Sequence, residues 1–140
     1  MSLLPPLHIA LLKASEIDTK EKPKALLALA DGDPALAAQI AQYKLSAWLK
    51  KIEDWLASKE TTPPLPVLTG KTAVPLIAAT MSVQALLARA ARAETTLKGW
   101  TLERALNAGW TAIERSTDIT RAGIDARTRL HTMLIDIRSA

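Results

Sequence analysis

The sequence predicts an all-α fold, a bundle of five or six helices with a Pro-rich linker near its middle. Three observations carry that prediction. Alanine and leucine dominate the apolar residues, and both are strong helix formers. Glycine is sparse, at 5 in 140 residues. Apolar residues recur at helical spacing, and no run alternates apolar and polar residues as a half-buried strand would.

The elements follow in order. Leu7 to Ser15 reads as a first short helix, with Pro5 and Pro6 at its start, where a missing N–H costs nothing. Asp18 and Glu21 resemble a capping box for a second short helix. Pro23 moves its start later, and the apolar run Ala25–Ala30 ends at Asp31-Gly32-Asp33-Pro34. Gly32 can supply the left-handed residue that closes a helix. Asp33 can cap the next helix, with Pro34 at its first position. A third helix is expected from Pro34 to about Ser58, striped by Leu36, Ile40, Tyr43, Trp48, Ile52 and Trp55.

Residues 61–71 read as the linker, because three prolines in positions 63–66 favour extended chain. The fourth helix is expected from about Ala73 to Ala93, its apolar line reaching Leu97 and Gly99 ending it. Its first turns are uncharged, which marks it as the central helix. Thr101 caps a fifth helix over 101–115, with Leu102, Leu106, Gly109 and Ile113 on one seam. Ser116 or Thr117 caps a sixth over 117–138, with Ile119, Gly123, Ala126, Leu130, Met133 and Ile137 on its seam. A turn that short would make these two helices antiparallel neighbours and set Gly109 opposite Gly123. Leu86, Val83, Leu130, Ile113 and Trp48 are the expected core. Residues 1–140 are read as a single all-α domain, with helical halves 1–60 and 72–140.

Composition narrows the function. There is no cysteine, so neither a disulfide framework nor a thiolate metal site is available. The net charge of +4 lies wholly in residues 71–140, and all eight arginines stand at or beyond Arg89. No basic or clearly apolar leader opens the chain, and a cytoplasmic location is expected. The uncharged stretch Thr72–Ala88 is shorter than the ~20 residues of a membrane span and is broken by Pro75. Membrane association is therefore not expected.

The motifs are weak. Thr69-Gly70-Lys71-Thr72 resembles the end of a phosphate loop, but that motif needs a glycine at 65, where Leu65 stands. His8 and His131 have no partner at metal-ligand spacing, and His131 with Asp125 or Asp118 makes a triad only on paper. Pro63-Pro64-Leu65-Pro66 fits the PxxP pattern, although a stiff linker explains it as well. A helix-turn-helix over Ala25–Leu45 lacks base-reading residues after its turn. No cofactor is expected.

Two residue sets remain. Arg89, Arg92, Arg127 and Arg138 are candidate phosphate or nucleic-acid contacts if they converge. A charge of +4 is modest for that role, and scatter over a solvated exterior is the simpler expectation. Asp125 stands between Arg121 and Arg129 at helical spacing and neutralises part of the set. Ile124 and Ile135 lie behind the sixth helix's seam and are candidate protein contacts. The sequence thus points to a non-enzymatic protein acting through helix-mediated contacts, with a protein partner or a second copy. The alternatives are a nucleic-acid-associated accessory protein in phage or plasmid DNA handling, and an enzyme with an unrecognised helical site.

Overall fold

The computed structural model describes residues 23–68, 73–119 and 125–139, and every regular element within them is an α-helix. These are α1 (Pro23–Leu29), α2 (Pro34–Gln42), α3 (Leu45–Leu56), α4 (Leu76–Ala91), α5 (Leu102–Ile119) and α6 (Ala126–Ser139). The expected helix Leu7–Ser15, the Asp18/Glu21 cap, the Thr69–Thr72 loop, His8, Arg121, Gly123 and Ile124 lie outside the described residues.

The first turn forms as its chemistry dictates. The Gly32 N–H donates to Leu27 O at 2.8 Å and the Asp31 N–H to Ala28 O at 3.2 Å, which closes α1 in a Schellman arrangement. Asp31 (φ 55°) shares the left-handed conformation with Gly32 (φ 85°). One Asp33 carboxylate oxygen then accepts from the N–H groups of Ala35 at 3.0 Å and Leu36 at 3.3 Å, capping α2 with Pro34 at its first turn.

The long helix expected over Pro34–Ser58 is two helices. It breaks at Tyr43 and Lys44, where Lys44 takes φ 54° with neither glycine nor proline nearby. The break redirects the chain so that α2 and α3 each pack on α4. Their buried faces, Leu36, Ile40, Trp48, Ile52 and Trp55 among them, then join one core. A straight helix of that length would carry one end past the neighbour it must cover.

The Pro-rich segment is extended but not a solvated spacer. Trp48 donates its indole N–H to Pro64 O at 2.9 Å, and Trp55 donates to Glu60 O at 3.1 Å. Pro63 is buried, and Leu65 and Leu68 pack against the core. The Val74 N–H reaches back to Val67 O at 2.6 Å. Two tryptophans of α3 thus hold the strap against the helix it follows.

Helix α4 begins after Pro75, and Val83, Leu86 and Leu87 are fully buried along it. It ends at Ala91 rather than near Gly99. Ala93 (φ 60°) takes the left-handed closing position, with Glu94 N–H donating to Arg89 O at 2.9 Å and Ala93 N–H to Ala90 O at 3.1 Å. Gly99 (φ 80°) serves a later turn. There the Trp100 indole donates to Leu56 O at 2.9 Å, tying the loop to the end of α3.

Helix α5 starts where expected, the Thr101 hydroxyl accepting from Arg104 N–H at 3.0 Å. It runs on through Ser116 to Ile119, so the expected cap at Ser116 or Thr117 is not a helix start. The Ser116 hydroxyl instead donates back to Ile113 O at 2.6 Å inside the helix. Helix α6 begins at Ala126, with Leu130, Met133, Leu134 and Ile137 buried. Gln84 on α4 donates its amide to Ala112 O at 3.4 Å, and an added Gly109 side chain would meet Leu87 at 3.8 Å. These contacts set α4 and α5 antiparallel, the most extensive helix pairing in the fold. Gly109 therefore faces α4.

Candidate docking face

The fifth helix is oriented opposite to its expected seam. Ala105, Ala108 and Ala112 face inward and are fully buried. Their small side chains let α5 lie close on α4. Leu102, Leu106 and Ile113 consequently face outward, and Ile113 is 51% exposed rather than part of the core. The other expected core residues, Leu86, Val83, Leu130 and Trp48, are buried. The reading of the seam weighted side-chain size, whereas the contact selected small residues that permit close approach.

On α4, Ile77 and Met81 stand one turn apart and open to solvent. On α5, Leu102, Leu106, Trp110 and Ile113 follow at helical spacing. Six of the seven large exposed apolar side chains among the described residues thus sit on these two helices, Val67 being the exception. Each of the six is between 36% and 59% exposed, and exposed apolar side chains gathered in this way mark interaction surfaces.

Within this face runs a groove of about 410 Å³. Ala85, Ala88 and Gly109 contribute to its floor, and Met81, Leu106 and Trp110 rise beside it. Asp31 and Asp33 line one end. Both carboxylates have structural work: Asp31 pairs with Arg92, and Asp33 caps α2. Three of the four tryptophans donate their indole N–H to a backbone carbonyl. The fourth, Trp110, is 59% exposed and its N–H has no partner among the described residues.

The arginines are spread over several helices. Arg92 forms ion pairs with Asp31 and Glu94, hydrogen bonds that raise its pKa further. Arg138 lies over the Trp55 ring at 4.1 Å and donates to Glu60 O. Arg104 covers Trp100 at 3.8 Å and donates to Arg138 O at 2.7 Å. Arg115 pairs with Asp136 at 2.9 Å. Arg89 is half-buried between α4 and its neighbours, and burial lowers its pKa against the opposing pull of Glu53, Asp31 and Glu94. Burial likewise raises Glu53, which Arg89 opposes. Arg127 is exposed on α6. Of the candidate protein contacts, Ile135 is half-buried and packed on the core.

His131 is partly buried, and no group of three or more metal-ligating side chains occurs among the described residues. No described helix is long and apolar enough to cross a membrane. The chain matches no protein-family model, no curated protein and no solved structure. The sequence reading missed Trp110 and misplaced Leu106 and Ile113. The signal that could have found them was the line Ala105, Ala108, Ala112, as regular as the seam it competed with.

Proposed function

We propose that the chain is a non-enzymatic helical interaction protein, and that the α4–α5 face is where a protein partner docks. The observation that carries this reading is the concentration of exposed large apolar side chains on that one face. Water against so much apolar surface is unfavourable by about 25 cal/mol per Å², and a covering partner removes it. A large exposed tryptophan beside a groove is the side chain most often found as an interface anchor. The groove's lining supports binding over catalysis, since it is mainly alanine and apolar side chains and its two carboxylates are engaged in the fold. The nucleic-acid alternative draws less support, because Arg92 and Arg138 are occupied by contacts within the chain.

The test is photo-crosslinking in the native cells. A benzophenone amino acid replaces Leu106, exposed beside the groove, so that Trp110 stays in place, and the same group at exposed Lys50 on α3 serves as the control. An adduct of defined mass at position 106, absent at position 50, is expected. No adduct at 106, or equal adducts at both, overturns the reading.

A further inference from the structure

We infer that the partner on this face is a second copy of the chain, docked by a two-fold arrangement in which Trp110 of each copy enters the α4–α5 groove of the other. The inference rests on the docking-face reading and names its occupant. A two-fold interface must be self-complementary, because the same patch meets itself. This patch carries both halves of such a contact. Trp110 is the projection, more than half exposed on α5. The groove is the recess, and its 410 Å³ accommodates an indole above the small floor residues Ala85, Ala88 and Gly109. One copy cannot satisfy both, since its own Trp110 stands on the groove's rim. Two copies related by a dyad fill two recesses with two projections.

The polar chemistry agrees. The Trp110 N–H is the one indole donor without a partner among the described residues. Acceptors line the groove it would enter, namely the carboxylates of Asp31 and Asp33 and the side-chain oxygen of Gln84. A carboxylate offers about four acceptor positions, so the Arg92 pair and the α2 cap leave capacity. The exposure agrees as well. Six large apolar side chains, each between 36% and 59% exposed, stand on the face that the two-fold contact would bury, and a standard stable interface buries ~800 Å² per partner.

Sedimentation equilibrium across micromolar to submillimolar concentration tests this, with circular dichroism to verify that each variant keeps its helices. The wild-type chain is expected to be a dimer that dissociates on dilution. Trp110→Ala removes the projection and Ala88→Leu fills the recess. Each variant dimer loses both contacts, so each substitution should raise the dissociation constant about a thousandfold, two interface anchors at about thirtyfold each. Mixing the two variants supplies the sharper test. The Trp110 of the Ala88→Leu copy meets an intact groove on the Trp110→Ala copy, so one of two contacts is restored. The mixed pair should associate more tightly than either variant alone. A wild-type monomer at every concentration, a dimer that both variants leave intact, or a mixture no tighter than its components overturns the inference. A monomer that still gives a specific crosslink from position 106 to a different polypeptide removes self-association alone. A monomer without that crosslink removes the docking face too.

Discussion

Replacing Gly109 by alanine separates two accounts of how α5 packs. If glycine were needed for a close crossing of backbones, any side chain there would overpack and cost about 1–3 kcal/mol. The structure gives a different ledger. Gly109 does not have a positive φ, so alanine introduces no backbone strain. Its added Cβ would lie 3.8 Å from the Leu87 Cβ, an ordinary van der Waals contact. The remaining effect is helix propensity, which favours alanine over glycine in a helix interior by about 1 kcal/mol. The net expectation is a gain of about 0.5–1 kcal/mol, or a rise of about 2–4 °C in melting temperature for a chain of this size. Urea unfolding followed by helical circular dichroism measures it, at a protein concentration low enough to keep the chain dissociated. A loss of stability of 1 kcal/mol or more would refute the reasoning, because it would mean that α5 and α4 lie closer than described.

Three further outcomes are expected. Leu86 is fully buried at the centre of α4, and Leu86→Ala should cost about 2–5 kcal/mol in the same assay. Trp48→Phe keeps an aromatic ring but removes the donor to Pro64 O, so it should cost about 1–3 kcal/mol and speed proteolysis within residues 59–68; unchanged proteolysis would mean the strap is held by other contacts. Glu53 has its pKa raised by burial, so the folded chain holds that proton more tightly than the unfolded chain and stability contributed by Glu53 grows as pH falls through the window just above the ordinary glutamate range. Glu53→Gln abolishes that contribution, and wild type should gain stability relative to the variant as pH drops through the same window.

The legibility of this fold follows the range of the forces involved. Local chemistry was readable. The Asp33-Pro34 start of α2 and the Thr101 start of α5 are fixed by side chains within three residues of the groups they cap. The helix ends closed by Lys44 and Ala93 were not, since each places an ordinary side chain in the left-handed region. That choice is favoured only by the packing it allows, of α2 and α3 on α4 in one case and of the Trp100 loop on α3 in the other. The linker's composition announced extended chain, but its attachment depends on Trp48 and Trp55 reaching carbonyls 16 and 5 residues away.

The site was the least legible part for a related reason. Two apolar lines run along α5, one of large side chains and one of alanines. Hydrophobicity alone favours burying the larger residues. The tight pairing with α4 instead buried Ala105, Ala108 and Ala112 and turned Leu106 and Ile113 outward. The arginines show the same limit. Their clustering beyond Arg89 was plain in the sequence, while the use of Arg104 and Arg138 as lids over Trp100 and Trp55 depends on contacts between distant segments.

The orientation of α5 is the claim on which the docking face stands, and Ile113→Glu tests it most directly. Ile113 is half-exposed on the face and touches water already. In dilute solution, where no second copy covers the face, the unfolding free energy of Ile113→Glu should stay within about 1 kcal/mol of wild type, as surface substitutions do. An inward-facing Ile113 would place an unpaired carboxylate in the core at a cost of about 3–5 kcal/mol, and a loss of that size would contradict the account.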